Sequence, residues 1–350
     1  RGHQTLLLET RGQAERLGAG AGAMVFEPHP RSFFRPTEPL FRLSDAPTKV
    51  RLLAATASPA GAATCGGAVK CRCGDTVASS TTLDADLGVC AGVGLKVLSG
   101  VSLDCAGHLL TGSNLSNAKY GINLDGAAGA TVRNCRMTLF RRGIRVNGGS
   151  GNRILGNESF LNKYGVDIAG ASSGNRFEGN LVRDNRDEGM HFGTGSSGNE
   201  IVGNEIRYNK RENLYLLSSH RNLVVGNVVH HGSMAAIYVK HSSDNRFVGN
   251  EVRDTSLQLR GDSARNVFED NQLKGDGYVF QAYLQSGAWT WPHDNTMTAD
   301  VITKTDWCFR FLGARDNHAT GLVTDGRCAP IAIRTVGGET STSNTVERAP

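Results

Sequence analysis

Three features of the chain predict an all-β protein wound as a parallel β-helix solenoid. One seven-residue phrase recurs six times between Gly151 and Asn271, as GNRILGN, GNRFEGN, GNEIVGN, RNLVVGN, DNRFVGN and RNVFEDN. Its copies stand 21 to 24 residues apart, a period that belongs to solenoids. Each period also holds three short runs of alternating polarity, for example Arg176-Phe177-Glu178, Leu181-Val182-Arg183 and Met190-His191-Phe192. Three strands per coil, none long enough for a hairpin of its own, suit a coil better than a propeller blade, which needs about 40 residues per repeat, or a leucine-rich horseshoe with its Leu-x-x-Leu-x-Leu pattern.

The recurring Asn and Gly have a backbone task, because each corner of a coil needs residues that tolerate a left-handed conformation. Stacked coil on coil, the Asn amides can hydrogen-bond into ladders, so the phrase reads as scaffold and not as chemistry. The bulk numbers agree: 44 Gly with only 7% aromatic residues fit a turn-rich β architecture. A formal charge of +5 permits an anionic partner without requiring one. No nucleic-acid partner is expected, no apolar run approaches the length of a membrane span, and a monomer is expected.

Taken in order, residues 1–54 stand outside the repeat. Gly2-His3-Gln4 opens a helical run from Thr5 to Leu17, Ala23-Met24-Val25-Phe26 reads as a short strand, and Glu27-Pro28-His29-Pro30-Arg31 follows. This order, with the later Phe41-Arg42-Leu43 and Arg51-Leu52-Leu53, resembles part of the nucleotidyltransferase domain of bacterial riboflavin kinase/FAD synthetases. The resemblance implies a truncated fragment without adenylyl transfer, since the adenine and flavin pockets have no counterpart and so short a segment buries too little surface to fold alone. Residues 55–64 read either as an Ala/Gly-rich linker or as the remnant of a secretory signal peptide, ending in Ala60-Gly61-Ala62.

Residues 65–110 read as a Cys-rich N-terminal cap with the first coils, 111–345 as the β-helix proper, roughly ten coils in all, and 346–350 as a tail. Leu95 to Leu98 and Val101 to Cys105 alternate with period 2 around a Ser-Gly turn. A solenoid needs a cap over its open apolar end. Six of the eight Cys crowd the first coils without CxxC metal spacing, so disulfides there, plus a Cys308 to Cys328 bridge, are expected. Disulfides place the protein in an oxidising compartment, secreted or periplasmic. After Asn271 the period loosens, and residues 276–294, which hold Tyr278, Phe280, Tyr283, Trp289 and Trp291, read as an insertion packed on the barrel.

The CGDTV segment, the GL-V-L-GV-LDC pattern and the Asn/Gly repeats that follow resemble secreted bacterial right-handed β-helix proteins of the NosD-like class, over about residues 65–345. The resemblance implies the fold and says little of function, because that class is chemically heterogeneous.

Within each third run the middle residue should face outward. The middle residues, coil by coil, are Arg145, Asp167, His191, Tyr215, Tyr238 and Gln258, which at about 4.8 Å between coils form one continuous polar ladder. This constellation suits β-elimination or C5-epimerisation of an acidic polysaccharide. Such chemistry needs a cation on the uronate carboxylate, a base for the C5 proton and a proton donor. Arg145 is the expected neutraliser, His191 the base, Tyr215 or Tyr238 the donor, and Asp167 the group that orients His191. A second, basic ladder reads Arg183, Arg207, His230, Arg253 and Lys274, with Glu158, Glu205 and Glu251 as its neutralising acids. Arg183 and Arg207, together with Lys210 and Arg211 in the turn before Tyr215, are the expected substrate contacts.

Against this reading, the Asp-Asp, Gly-His-Gly and Arg-Ile-Lys signatures of polygalacturonases and the Asp-Pro-His-Asp run of alginate C5-epimerases are absent. Paired-carboxylate hydrolysis would need Asp167 with Asp187 or Glu188. Two other classes stay open: a non-catalytic module for cell-surface glycans, and a NosD-like copper-related protein using His191, His230 and His231. No cofactor and no metal ligand set is assigned.

Overall fold

The computed structural model describes residues 63–350, apart from 286, 304, 306, 327–331, 337–340 and 350. The expectations for residues 1–54, and nearly all of 55–64, lie outside the described residues. The described chain is a right-handed parallel β-solenoid of about eleven turns with no helix. A regular turn contributes one strand to each of three parallel sheets, called here A, B and C in the order the chain visits them. In one turn these strands are Tyr164–Ala169, Arg176–Glu178 and Leu181–Arg183.

Stacking is in register from coil to coil. In sheet A, Val166 pairs with Met190, Met190 with Leu214, Leu214 with Ile237 and Ile237 with Leu257. Period 2 then decides what is buried: Phe177, Ile201, Val224, Phe247 and Phe268 form the inward column of sheet B, and Val182, Ile206, Val229, Val252 and Leu273 that of sheet C. Aromatic rings stack within the core, as Phe247 on Phe268 at 4.7 Å and Tyr278 on Phe309 at 5.3 Å between centroids.

Each ladder Asn follows a residue in the left-handed region. Gly179 and Gly203 hold this place before Asn180 and Asn204, while Arg221 and Asp270 adopt it before Asn222 and Asn271. Turning the chain here aims the amide inward. Asn180 then donates both its backbone N–H and its Nδ2 to the Asn204 Oδ1, each at 2.9 Å, and Asn204 repeats the pattern onto Asn227. The two ladders expected from the sequence are present, and a third, Asn162, Asn185 and Asn209, lines the corner between sheets C and A. All these amides are buried, so the ladders satisfy corner N–H groups that no strand pairing reaches.

Disulfides hold the first coils: Cys65–Cys71, Cys73–Cys90 and Cys105–Cys135. Cys135 stands at the start of the second Asn ladder, its N–H donating to the Asn157 Oδ1 at 3.0 Å. A covalent link thus begins where the amide ladder ends. Replacing Cys105 and Cys135 by Ser is expected to lower stability by about 3–4 kcal/mol, from the loop entropy restored to the unfolded chain; urea unfolding measures it. Cys328, the expected partner of Cys308, lies outside the described residues.

Residues 276–294 are not a single insertion, because Tyr278–Gln281 is a regular sheet A strand with Tyr278 and Phe280 in the core. Their alternation fits the period once the small hairpin Tyr283–Gln285 with Ala288–Thr290 is set aside. That hairpin alone is the insertion, and it lengthens the step from Asn266 to its ladder partner Asn295 to 29 residues. The last strand, Thr345–Arg348, still pairs with His318–Thr324.

Candidate functional site

The outer face of sheet A carries the expected ladder. Arg145 pairs with Asp167, Asp167 with His191, His191 with Tyr215, Tyr215 with Tyr238 and Tyr238 with Gln258. Because each of these positions is flanked by two inward apolar residues, the side chains share one face and become neighbours across about 4.8 Å.

Asp167 is the node of this face. Its side chain is only 4% exposed, yet it is surrounded by cations: Arg142 and Arg145 both pair with Oδ2, and the His191 Nδ1 lies 3.0 Å from Oδ1. Burial pushes this carboxyl up, but the His191 hydrogen bond and the charges of Arg145 and Arg142 outweigh it and hold the pKa at about 2. An ionised carboxylate can only accept, so the His191 Nδ1 donates. In the neutral ring the lone pair then falls on Nε2, on a side chain 21% exposed. That is the tautomer a general base requires.

Next along the ladder, the Tyr215 ring lies 5.3 Å from His191 and 5.1 Å from Tyr238. The two tyrosines pack with Ala235 into a small apolar cluster outside the barrel core. Burial, followed by the neighbouring Tyr238 and Glu212, raises the Tyr215 pKa well above the ordinary phenol value. Burial likewise raises that of Tyr238, opposed by Arg260, whose Nη1 donates to the hydroxyl at 3.2 Å. Both phenols therefore stay protonated and are suited to donate.

Beside the ladder, at the corner leading into sheet A, lies a charged cluster. Arg211 reaches Glu188 at 3.1 Å, Asp187 at 3.3 Å and Glu212 at 3.5 Å. Glu188 and Glu212 are buried, and each keeps one Oε2 without a hydrogen-bond partner. Burial raises the Glu188 pKa, helped by the adjacent Asp187. Arg211 is thus engaged by three acids.

Lys210, an expected substrate contact, belongs to a longer row of cations at the same corner, of which Lys119, Arg141 and Arg186 were not expected from the sequence. Backbone hydrogen bonds from Arg141 to Ala118, Lys163 to Phe140, Arg186 to Asn162 and Lys210 to Asn185 put these four residues, with Lys119 before them, directly over one another. A depression of about 390 Å³ is lined by Leu115, Ser116, Arg141, Lys163 and Arg186. Lys163 lies 4.0 Å from Asp187. Among the described residues, no carboxylate lies within ion-pair distance of Lys119, Arg141, Arg186 or Lys210. Stacked like charges without acids are unfavourable in isolation, which distinguishes this row from an ordinary solvated stripe. The detectable signal was position: each cation directly follows the residue that occupies the third corner.

The second predicted ladder lies on sheet C and does not join this face. Arg183 pairs with Glu158 and Asp184, Arg207 with Glu205, and Arg253 and Lys274 with Glu251, so its charge is internally neutralised. Arg183 and Arg207 therefore stand apart from the sheet A residues they were grouped with, while Lys210 and Arg211 border them. His191 is likewise on sheet A and His230 on sheet C, so the three histidines of the copper reading do not converge.

The model of the right handed beta helix region matches residues 95–212 and 194–320, and that of FAD synthetase matches residues 1–58, as the N-terminal resemblance implied. No curated protein matches the chain by sequence. Among solved structures, a PL6 alginate lyase in complex with a trisaccharide aligns with a TM-score of 0.54 at 13% identity, over 83% of this chain and 77% of that one. An alginate lyase from Paenibacillus sp. str. FPU-7 aligns at 0.47 and 16% identity, over 75% and 92%. The periplasmic alginate epimerase AlgG aligns at 0.47 and 14% identity over 73% of this chain, which spans 61% of the epimerase's length. At such identities the likeness is one of fold. With the family model covering well over half of its length, the chain belongs to the right-handed β-helix family.

Proposed function

We propose that this protein, in a secreted or periplasmic setting, binds an acidic polysaccharide along sheet A and processes it by removing the C5 proton of a uronate, as a lyase or an epimerase. The observation that carries this reading is the Asp167–His191 pair, held by two arginines and followed in register by two protonated tyrosines. In this reading the His191 Nε2 takes the C5 proton. The electrons of the broken C–H bond form the C4=C5 double bond as the C4–O4 bond breaks, and Tyr215 or Tyr238 protonates the departing O4. Epimerisation uses the same first step and returns a proton to the opposite face of C5.

Arg145 was expected to neutralise the uronate carboxylate, but its guanidinium is taken up by Asp167. It serves better as a positioning residue, with Arg142, for the Asp167–His191 pair. Neutralisation then falls to the corner row, where Lys163, Arg186 and Lys210 lie on the coils of Asp167, His191 and Tyr215. The disulfides support the oxidising location.

A second reading, glycan binding without turnover, is favoured by one observation: Arg142, Arg145, Asp167 and His191 satisfy one another, as a structural network would. The full chain should be screened for binding to, and for unsaturated ultraviolet-absorbing products from, alginate, polygalacturonate and glycosaminoglycans. Product from one polymer supports processing. Binding without product on every polymer supports the second reading, and no binding at all removes both.

The corner row has its own expected outcome. Changing Arg141, Lys163 and Arg186 together to Gln should raise KM for the responsive polymer roughly tenfold and flatten its salt dependence, with kcat less affected. Steady-state kinetics at two ionic strengths checks this.

A further inference from the structure

We propose that His230, His231 and Asp254 form a binding site for a borderline divalent metal ion, with zinc as the best-suited ion. The site lies at the corner after sheet C, away from the sheet A face, and stands independently of the activity proposed above.

Register places the three residues together. Arg207, His230 and Arg253 pair across successive coils, so the residues that follow them, Tyr208, His231 and Asp254, occupy the same corner position one above another. All three adopt the left-handed conformation, with φ of 54°, 53° and 68°. In an extended strand His231 would point to the face opposite His230. The left-handed turn instead swings its ring back, and the two Nδ1 atoms come within 2.6 Å of each other. The Asp254 Oδ2 lies 3.2 Å from the His231 Nδ1. The three prospective ligand atoms all lie within 4.8 Å of one another.

Two further contacts resemble the outer shell of a metal centre. The Glu205 Oε1 stands 3.6 Å from the His230 Nε2, so a carboxylate sits behind the ring and favours a proton on Nε2, which leaves Nδ1 as the ligand nitrogen. The Tyr208 ring stacks on His231 at 4.5 Å between centroids, holding that imidazole from the other side. Two imidazoles and one carboxylate suit zinc and its neighbours, whereas calcium and magnesium need an all-oxygen set. The His231 and Asp254 side chains are partly exposed, which leaves room for water at the remaining coordination position. Bound there, an ion would clip together the two coils that carry the histidines and Asp254, at a corner where no Asn ladder continues.

The test is calorimetric titration of zinc into the full chain after removal of metals with a chelator. One equivalent of zinc is expected to bind and to raise the unfolding temperature. His231→Gly removes the imidazole while keeping a residue that tolerates the left-handed corner, and Asp254→Asn removes the carboxylate at equal size. Both should abolish the stoichiometric binding and the thermal shift, with circular dichroism unchanged. Glu205→Gln should weaken binding about 10- to 100-fold. Cobalt added in place of zinc should give visible absorption in the wild type that His231→Gly lacks. Absence of zinc binding in the wild type, or binding that persists in folded His231→Gly and Asp254→Asn proteins, would overturn the proposal.

Discussion

His191→Ala is expected to lower turnover of the responsive uronate polymer by about 10³-fold, with KM changed severalfold at most. The size follows from the role. A positioned base accelerates proton transfer by orders of magnitude, and among the residues of the sheet A ladder only His191 has its lone pair fixed by an ionised partner. Asp167→Asn separates the base from its support. The amide still fills the space, but it no longer fixes the tautomer and leaves Arg142 and Arg145 facing a neutral group. Activity should fall less than for His191→Ala, while stability falls by about 3–5 kcal/mol, the usual cost of removing one member of a buried ion-pair network. The pH dependence has a definite sign. The Asp167 pKa is depressed to about 2 from an ordinary 3.8, so its stabilisation is complete above the ordinary value and is lost as pH falls toward 2. Acid unfolding of Asp167→Asn should therefore be shallower than that of the wild type below about pH 4. An unchanged kcat in His191→Ala would remove the base from the mechanism.

The second large effect concerns the scaffold. Asn204→Ala is expected to cost about 3–5 kcal/mol, as much as a large core truncation, although the side chain contains no apolar surface worth burying. Its Oδ1 accepts from the Asn180 N–H and Nδ2, and its Nδ2 donates to the Phe177 carbonyl at 3.0 Å and to the Asn227 Oδ1 at 2.9 Å. Deleting it leaves a backbone N–H and part of an amide buried without partners, each carrying its full desolvation penalty. The half-exposed neighbour Glu200→Ala on the same coil should shift stability by less than about 1 kcal/mol, since it loses only a surface ion pair with Arg176. Urea unfolding of the two variants side by side measures the contrast. A cost for Asn204→Ala near that of Glu200→Ala would mean the ladder is dispensable.

The fold was legible because the features that announce it are backbone requirements. Left-handed corners call for Gly, Asn and Asp, and inward columns call for alternation, so both are written into every coil. The sheet A ladder was legible for the same reason: once the period is known, Arg145, Asp167, His191 and Tyr215 must stack. What those side chains do to one another was harder to read. The sequence aligns Arg145 with Asp167 but does not reveal that Arg142, three residues earlier, reaches the same carboxylate, because Gly143 and Ile144 are both buried and strict alternation fails there. The corner cations were obscured by one extra residue, since Asn162-Lys163-Tyr164-Gly165 becomes Asn185-Arg186-Asp187-Glu188-Gly189 on the next coil, and a fixed-offset comparison then sets Lys163 beside Asp187. The approach of His231 to His230 depends on a single positive φ that strand alternation argues against. Tyr278 was misassigned because a dense aromatic run suggested a surface loop, whereas the core of these last coils is itself a stack of aromatic rings.

The most direct test of the sheet A mechanism is to incubate the full chain with a polyuronate in deuterated water and follow the C5 position by NMR. The account predicts either deuterium at C5 of the recovered polymer or loss of the C5 proton into an unsaturated end, both abolished in His191→Ala. A polymer that binds to the protein yet keeps every C5 proton would contradict it.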